Sequence, residues 1–294
     1  MQSRAAAEVS FVIASQNRAT ELATVVNRLL DATPCPIVVV DNASSDDSVA
    51  TVDRMAARSR GRLRLIALHE NLGAVGRNVG VRACRTPYVA FCDDDSWWTP
   101  EAPAIGAEAF GRYPSVGLLA ARTIVWPQRR DDPFCALLAH SALGRRPDLP
   151  GPSILGFMSC AAMVRKRAFE QAGGFSDILH FRGEEQLLAL DMAAAGWDLC
   201  YYAPLVAIHQ PSPVRATTTA QTARQLRNDV LTTWLRRPIR HCLNASGRLI
   251  LAALRDRDHA RGALEAVARL PDVITHRRPL PHAVEEAVRM LESG

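Results

Sequence analysis

Short apolar runs alternate with stretches of helical spacing along the first 92 residues. Four short, mainly apolar runs predict strands; they lie at residues 9–14, 37–40, 63–68 and 88–92, and the last of them is typical of a strand buried on both faces. Three stretches between them place apolar residues three or four positions apart and predict helices; they lie at residues 20–30, 49–57 and 73–83. This alternation indicates βαβ units, and therefore a mostly parallel sheet with helices on both faces.

Polar residues follow each of these predicted strands. In open α/β sheets, ligands bind beyond the carboxyl ends of the strands, at a switch in strand order. We therefore expect a functional site where these residues meet: Asn17 and Arg18, Asp41 and Asn42, Asn71, and Asp93 to Asp95.

The remainder of the chain is less regular. Its patterns predict strands at residues 116–125, 161–164 and 199–208, and helices at 167–172 and 184–195. Residues 127–152 are rich in Arg, Asp and Pro without a clear period, which predicts a long excursion or mobile loop. Helical segments punctuated by proline follow His209, and one of them, at residues 220–235, has an apolar face made of Leu226, Val230, Leu231 and Trp234.

Composition is that of an ordinary globular protein, with 48% hydrophobic and 22% charged residues among 294. No apolar run is long enough to span a bilayer, and the N-terminal residues lack the layout of a signal peptide. We therefore expect a cytoplasmic protein, with membrane association as an alternative. The seven cysteines are scattered singly, which predicts core residues rather than a zinc site or a disulfide framework.

Charge is distributed unevenly along the chain. Residues 1–214 contain 21 basic and 22 acidic residues, whereas residues 215–294 contain 14 and 8. This asymmetry predicts a change of role near residue 215, which divides the chain into residues 1–214 and a basic helical extension at 215–294. We expect the extension to serve a homodimer, acceptor docking or peripheral membrane contact, and we expect no nucleic-acid partner, because a solvated basic surface explains the excess charge more simply.

Three consecutive aspartates, Asp93, Asp94 and Asp95, come directly after a buried strand. Alternation along a strand would let Asp93 and Asp95 point the same way. Adjacent carboxylates repel one another, and their hard oxygens suit Mg²⁺ or Mn²⁺. A solvated acidic turn that caps the next helix explains the same residues without a metal ion.

The other candidates also have simpler structural explanations when they are taken singly. Asp41 fits either a nucleotide contact or a helix cap. Gly73 opens a helix that could bind an anion, although neither GxGxxG nor GxxxxGK[ST] spacing is present. Glu184 and Glu185 at a helix start fit either a general base or a favourable interaction with the helix dipole. His209, at a strand end, fits either a structural role or a ligand role.

Six segments in order along residues 9–213 strongly resemble family 2 glycosyltransferases of the GT-A fold. The segments are SFVIASQNR, VVVDNASSDDS, NLGAVGRNVGVRAC, VAFCDDDSWWTP, GFMSCAAMVRKRAFEQAGGF and GEEQLLALDMAAAGW. The resemblance implies an α/β protein with a Rossmann-like, mostly parallel central sheet flanked by helices, followed by a helical C-terminal extension. It makes residues 1–214 the catalytic domain, with a nucleotide-sugar half at about 1–98 and an acceptor half at about 99–214.

The resemblance also implies roles for individual residues. The nucleotide-sugar would contact Asn17, Arg18, Asp41, Asn71, Gly73, Arg77, Asn78, Asp93 and Asp94. The implied metal site consists of Asp95, Asp93 and His209; in the D-x-D element, Asp95 would lie nearest the metal ion and Asp93 nearer the ribose and phosphates. Mn²⁺ or Mg²⁺ is the implied cofactor, and a UDP-, GDP- or dTDP-sugar is the implied donor.

The implied reaction is an inverting transfer of one sugar to an acceptor hydroxyl, with Glu185 as the general base. Glu185 stands where the family usually has Asp, and this leaves Glu184 as an alternative. Leu187 and Asp191 depart from the family, which often has an acid and a basic residue at these places. The residues expected on the acceptor side are Trp97, Trp98, Phe157, Met158 and Glu184, and at most one of the two tryptophans is expected to touch ligand.

Two other classes of protein fit part of the pattern. A noncatalytic nucleotide-sugar binding protein would be expected to lose the acids, but Asp93, Asp95 and Glu185 are present. A sugar-1-phosphate nucleotidyltransferase normally opens with a glycine-rich loop, and residues 15–18 contain no glycine.

Overall fold

The computed structural model of the chain describes residues 8–211 and 219–293. The domain boundary expected at residues 214 and 215 lies outside the described residues, as do the first seven residues of the N-terminus.

The first half of the chain forms a parallel sheet, as its pattern predicts. Its strands are β1 (Val9–Ser15), β2 (Ile37–Asp41), β3 (Leu63–Ala67) and β4 (Tyr88–Cys92), in the order β3-β2-β1-β4. The connecting helices are α1 (Ala19–Ala32), α2 (Ser48–Arg58) and α3 (Val75–Ala83). All four strands pair in parallel, so the four predicted strands and three predicted helices are confirmed.

The second half extends the same sheet and mixes strand directions. Its strands are β5 (Ser96–Trp98), β6 (Val116–Val125), β7 (Arg130–Asp131), β8 (Ala162–Arg165) and β9 (Asp198–His209). The order continues β4-β8-β6-β9-β5, with β7 on β6. β6 and β9 are parallel, whereas β8 runs antiparallel to both β4 and β6, and β5 runs antiparallel to β9.

Several elements of the second half were not predicted. Its helices are α4 (Ala102–Arg112), α5 (Pro133–Ala139), α6 (Lys166–Gln171) and α7 (Glu184–Ala194), with a 3₁₀ turn at Ser159–Ala161. α6 and α7 confirm the helices predicted at 167–172 and 184–195, whereas α4 and α5 were not predicted. The prediction of a patternless excursion at 127–152 is wrong for part of that range, because it contains β7 and α5. The carboxylate of Asp132 accepts a hydrogen bond from the Phe134 amide and caps α5, so a local cap starts a helix too short to show a period.

Alternate side chains of the central strands fill two cores, one on each face of the sheet. Phe11 and Ile13 of β1 lie in one core, and Val12 lies in the other. The seven cysteines are buried, which agrees with the prediction that they are core residues. In the described ranges, no helix is long and apolar enough to cross a membrane.

Five helices follow the sheet, and the first four of them share an apolar cluster with α7 and the loop before it. They are α8 (Thr219–Arg236), α9 (Ile239–Ala253), α10 (Arg257–Ala268), α11 (Leu270–His276) and α12 (His282–Ser293). Leu179 and Leu187, which flank the start of α7, pack in one apolar cluster with Val230, Leu231 and Leu235 of α8. The helix predicted at 220–235 is confirmed, and it packs on the element that carries Glu184 and Glu185.

Candidate active site

Strand pairing brings the polar residues together at the carboxyl edge of the sheet. Ser15 at the end of β1 pairs with Asp41 at the end of β2, and Ile13 pairs with Cys92, the last residue of β4. Asp93, which follows Cys92, therefore lies beside the ends of β1 and β2. The cluster expected from the sequence forms, because parallel strands place their carboxyl ends at one edge.

The three aspartates occupy a tight turn between β4 and β5. The Asp93 amide donates to Ser96 Oγ at 2.8 Å and closes the turn. Strand alternation does not apply to Asp93 and Asp95, because the strand ends at Cys92. Each carboxylate has different surroundings.

Asp93 pairs with a buried arginine. Arg77 Nη2 donates to Asp93 Oδ1 at 2.5 Å, and the Arg77 side chain is 5% exposed. Burial alone would lower the pKa of Arg77, but Asp93 and then Glu184 reverse that effect, and its pKa is raised above the ordinary value. Glu185 acts on Arg77 in the same sense. Arg77 therefore connects the acidic turn with the start of α7 electrostatically.

Asp94 faces the first βα loop. Ser15 Oγ donates to Asp94 Oδ2 at 2.8 Å, and Arg18 Nε lies 3.3 Å from Oδ1. Burial raises the pKa of Asp94, and Asp93 and Asp95 add to that effect. A cavity of about 250 Å³ opens beside this acid, and Arg18, Asp94, Asp95 and Trp97 are among its lining residues.

Asp95 faces the end of β9. β5 pairs with β9 so that Ser96 lies opposite His209, and this brings His209 Nε2 to 3.5 Å from Asp95 Oδ1. Neither ring nitrogen of His209 has a hydrogen-bond partner within residues 8–211 and 219–293. A carboxylate oxygen and an imidazole nitrogen at this distance suit a divalent cation.

The described chain contains no group of three or more His, Cys, Asp or Glu side chains arranged to hold a metal ion. A pair of protein ligands still fits Mg²⁺ or Mn²⁺, because such ions usually take few carboxylates and fill the other positions with phosphate oxygens and water.

The two adjacent glutamates at the start of α7 differ in exposure. Glu185 is partly exposed, and its Oε1 accepts a hydrogen bond from Ser159 Oγ at 3.0 Å. Glu184 is only 2% exposed. Its burial, together with the nearby Glu185 charge, raises its pKa to about 8. Only Glu185 presents an accessible carboxylate.

Charges from both sides of the site converge on one thiol. Burial raises the pKa of Cys160 well above its ordinary value, and Asp93, Asp95 and Glu185 raise it further. Arg77 acts in the opposite sense on the same thiol. The acidic turn and Glu185 therefore belong to one cluster.

Asp41 ends β2 with one carboxylate oxygen in use. Its Oδ2 accepts from the Ser44 amide at 2.8 Å, whereas the buried Oδ1 has no hydrogen-bond partner in the described part of the chain. Asn17 holds the neighbouring loop, because its Oδ1 accepts from the Ser45 amide at 2.7 Å. Asp41 Oδ1 is therefore available to accept a hydrogen bond from a ligand.

Asn71 and Gly73 order the loop before α3. Asn71 Oδ1 accepts from the Gly73 amide at 2.8 Å, and Asn71 Nδ2 donates to Gln16 at 2.7 Å. Gly73 has a φ of +59°, and a Cβ there would lie 2.3 Å from the carbonyl oxygen of His180. Glycine is required at this place because the loop before α7 approaches so closely.

Some expected ligand contacts turn out to be structural. Asn78 Nδ2 donates to the Phe175 carbonyl at 2.8 Å, and Asn78 Oδ1 accepts from the Phe175 amide at 2.9 Å, so Asn78 holds that loop. Trp98 is 1% exposed and donates to the Phe91 carbonyl at 3.0 Å. Phe157 is also buried. The ring of Trp98 fills the core, which leaves Trp97 as the tryptophan available to a ligand.

Trp97 and Met158 retain access to the site. Trp97 lines the cavity beside Asp94, with the Arg28 guanidinium 4.0 Å from its ring centroid. Met158 is partly exposed at the start of the 3₁₀ turn.

Three side chains of this region were not singled out from the sequence. They are Ser15 on Asp94, Ser159 on Glu185, and Asn228, which bonds the loop before Glu184. Ser159 lies in the segment assigned to the acceptor side, but no periodicity distinguishes it. Asn228 stands three and seven positions before Leu231 and Leu235, and a polar residue at core spacing in a helix is a usable signal.

Comparison with known proteins agrees with this geometry. Residues 10–173 match the sequence profile of the family described as glycosyl transferase family 2. The chain belongs to glycosyl transferase family 2.

Two curated relatives are similar over part of their length. This chain is 32% identical over 206 residues to the pre-mycofactocin glycosyltransferase of Mycobacterium tuberculosis, and the match covers 66% of this chain and 41% of that protein. It is 32% identical over 102 residues to the succinoglycan biosynthesis protein ExoU of Rhizobium meliloti, covering 34% and 30%. The chain therefore spans less than half of the length of these relatives.

Solved structures share the fold at low sequence identity. The mannosyltransferase PcManGT from Pyrobaculum calidifontis, in complex with GDP-Man and Mn²⁺, has a TM-score of 0.61 at 18% identity, covering 98% of this chain and 79% of that one. S. aureus TarS in complex with UDP-GlcNAc has a TM-score of 0.60 at 15% identity, covering 95% and 83%. GalNAc-T7 with UDP, GalNAc and Mn²⁺ has a TM-score of 0.63 at 13% identity, covering 93% and 58%. The GT-A fold expected for this family 2 member is confirmed.

Proposed function

We propose that this chain is a metal-dependent, inverting glycosyltransferase that moves a sugar from a nucleoside diphosphate donor to an acceptor hydroxyl. The observation that carries the proposal is the pairing of Asp95 with His209, 3.5 Å apart at the carboxyl edge of the sheet, together with the accessible Glu185 carboxylate that Ser159 holds. A metal-binding acid and an accessible base within one cluster are the two groups that such a transfer requires.

The donor nucleotide binds beside the ends of β1 and β2. The buried Asp41 Oδ1 accepts a hydrogen bond from the base, and the loops ordered by Asn17 and by Asn71 with Gly73 surround the nucleoside. Arg18 and Arg77 supply positive charge near the phosphates. UDP-, GDP- and dTDP-sugars are the candidate donors, and the GDP-Man and UDP-GlcNAc bound to the two similar structures support this class.

Asp95 and His209 are the residues that hold Mn²⁺ or Mg²⁺ in this proposal. When bound, the ion offsets the charge that develops on the diphosphate leaving group. Asp93 has an indirect role in this proposal. Its carboxylate is paired with the Arg77 guanidinium and holds that side chain in place.

Glu185 is the general base. The acceptor oxygen forms a bond to the anomeric carbon on the face opposite the diphosphate, the bond from that carbon to the phosphate oxygen breaks, and the hydroxyl proton passes to Glu185. The hydrogen bond from Ser159 to Oε1 fixes the carboxylate and leaves Oε2 to receive the proton. The reaction inverts the configuration at the anomeric carbon, as with the base of an inverting glycosidase.

Thermal shift of the full chain against UDP-, GDP- and dTDP-sugars, with Mn²⁺ or with EDTA, tests the proposal. A bound donor should stabilise the fold by about 2.7 kcal/mol at a hundredfold excess over its dissociation constant. Asp95→Asn should reduce the shift seen with Mn²⁺, whereas Asp53→Asn, an exposed acid on α2, should leave it unchanged. Equal stabilisation in EDTA would contradict the metal-dependent mechanism.

A further inference from the structure

Exposed apolar side chains are concentrated in the C-terminal helices. Among the described residues, eleven of the thirteen large hydrophobic side chains that are exposed belong to residues 239–291. The two others are Leu137 and Phe181. Single exposed apolar residues are normal, but a cluster of this kind marks an interaction surface.

Five of these side chains line one groove. Ile239, Leu243 and Ile250 of α9 line it together with Val267 of α10 and Leu270 of α11, and it encloses about 480 Å³. At 100° per residue, the three α9 side chains fall within a narrow stripe beside the buried face of that helix. We call this surface the apolar groove.

The surface around the apolar groove carries an excess of arginine. Arg240, Arg248 and Arg255 are exposed on or just after α9, on the flank of that helix opposite the apolar stripe. Arg257, Arg261 and Arg269 are exposed on or beside the neighbouring helices, where Arg261 pairs with Glu265 and Arg269 with Asp272. Residues 239–278 contain eight arginines and four acids. These arginines, which we call the arginine rim, give the surface around the apolar groove a net positive charge.

We propose that the apolar groove and its arginine rim dock on an anionic lipid surface. Apolar side chains in the acyl boundary, with arginines at the level of the headgroups, are the arrangement of an interfacial amphipathic helix. A second copy of the chain fits the same surface less well. A two-fold interface is self-complementary, so it would bring the arginine rims of both copies together.

Binding of the full chain to vesicles tests the proposal. We expect co-sedimentation with vesicles that contain roughly one third phosphatidylserine, little with phosphatidylcholine alone, and weakening at high salt. The triple variant Arg240→Gln, Arg248→Gln and Arg255→Gln should weaken binding on the order of a hundredfold. Leu243→Ser with Ile250→Ser, which changes only exposed side chains, should weaken it about tenfold or more.

Leu137→Ser and Arg85→Gln are matched controls, because they remove an exposed leucine and an exposed arginine far from the apolar groove in sequence. Both should bind as the parent does. Equal binding to phosphatidylcholine alone would overturn the proposal, as would parental binding by either groove variant. A stable dimer in light scattering without vesicle binding would assign the groove to a second copy instead.

A separate observation concerns the loop before α7. His180, Arg182 and Gly183 all have positive φ, at 66°, 75° and 78°. Non-glycine residues rarely adopt this conformation, and they persist in it only where the surroundings hold them. The next two residues are Glu184 and Glu185.

One buried amide holds this loop from the C-terminal helices. Asn228 Nδ2 lies 3.1 Å from the Leu179 carbonyl oxygen, 2.9 Å from that of Phe181 and 2.5 Å from that of Arg182. Asn228 is fully buried on α8. Its neighbour Arg227 donates to the Leu179 carbonyl at 2.9 Å and to Glu265 of α10 at 2.7 Å.

From this geometry we infer that Asn228 is a positioning residue for Glu185, an inference that rests on the proposed function. The amide fixes the backbone immediately before α7, and the direction of that backbone fixes where the Glu185 carboxylate lies. Asn228 acts through the loop and touches no substrate.

Asn228→Asp keeps the shape of the side chain and replaces its donor group with an oxygen that repels the three carbonyls. We expect donor KM within about twofold of the parent and kcat lower by roughly ten- to a hundredfold, because a small displacement of a catalytic group is costly. Release of nucleoside diphosphate from the donor, with water as acceptor, gives both constants. Asn244→Asp, on the exposed face of α9, is the matched control.

Arg227→Met provides a second variant if Asn228→Asp does not fold. It removes one bond to the same loop, and it should lower kcat less than Asn228→Asp while leaving KM unchanged. Parental kcat in the folded variants would overturn the positioning role. Absence of donor binding and turnover in the parent would instead contradict the proposed function, so the two failures are distinguishable.

Discussion

Glu184 and Glu185 are identical side chains with different environments, and this difference assigns the base. Glu185 is partly exposed and bonded to Ser159, whereas Glu184 is buried near Arg77. Asp191, an alternative acid on the same helix, is paired with Arg236. The accessibility of its carboxylate therefore favours Glu185 as the general base.

Glu185→Gln should bind donor as the parent does and lose turnover by on the order of a hundred- to ten-thousandfold, because the amide cannot accept a proton. Glu184→Gln should have a much milder effect. Rates of nucleoside diphosphate release at saturating donor measure both, with circular dichroism confirming that each variant is folded. The reverse order of effects would place the base at Glu184.

Burial of Glu184 predicts a pH-dependent stability. Its pKa rises from 4.5 to about 8 because burial disfavours its charged form. The folded state therefore holds the proton more tightly than the unfolded state, and this group's stabilisation, complete below pH 4.5, is lost as pH rises toward 8.

Urea unfolding of the parent and of Glu184→Gln at about pH 5 and pH 8.5 should show this loss in the parent alone. The difference between the two proteins should change by a few kcal/mol over that range. The comparison cancels the titration of other groups. Parallel pH dependences would mean that Glu184 keeps its ordinary pKa.

At the scale of elements, α7 is held at both ends by α8. Asn228 of α8 donates hydrogen bonds to the loop before α7. Arg236 of α8 donates two hydrogen bonds to Asp191, near the end of α7, one of them at 3.0 Å. The departure from the family at residue 191 has a reason here, because a basic side chain opposite Arg236 would repel it.

A charge exchange tests the pair. Asp191→Arg and Arg236→Asp should each destabilise the fold, and the double variant should recover part of the loss, with a coupling energy of about 1–3 kcal/mol. Urea unfolding gives all four free energies. The same exchange at Arg122 and Asp131, an exposed pair at 2.8 Å, should show much weaker coupling. Additive single effects at Asp191 and Arg236 would show that the pair is not coupled.

At the scale of the molecule, the C-terminal helices are part of the fold and not an appended tail. Leu187 of α7 packs with Val230 and Leu231 of α8, and buried Arg237 at the end of α8 pairs with Glu285 of α12 at 2.8 Å. α7 and the C-terminal helices therefore depend on each other for burial.

We expect one cooperative unfolding transition. Far-ultraviolet circular dichroism, which follows all helices, and tryptophan fluorescence, which includes the core residue Trp98, should give the same urea midpoint. Leu187→Ala should lower the free energy of unfolding by about 2–5 kcal/mol and shift both probes together. Two separate midpoints would mean that the C-terminal helices unfold independently.

The sequence by itself determined the sheet of the first half and the edge where the site lies. Apolar runs and helical spacing are local patterns, and they gave β1 to β4 and α1 to α3 within two residues at each end. Polar residues at the strand ends then located Asp41 and Asp93 correctly, because parallel strands share a carboxyl edge. Short elements such as β5 and α5 were not predicted, because three to seven residues are too few to establish a hydrophobic period.

Only the tertiary structure decided how each polar side chain is used. Asp94 meets Ser15 from 79 positions away, and Asn78 meets Phe175 from 97. Glu184 and Trp98 are buried, and burial is what distinguishes Glu184 from its neighbour Glu185. Asn228 of α8 holds the loop before α7 by hydrogen bonding to its backbone. Partner choice and burial depend on residues that are distant along the chain, so the adjacent acids look alike in sequence and differ in the fold.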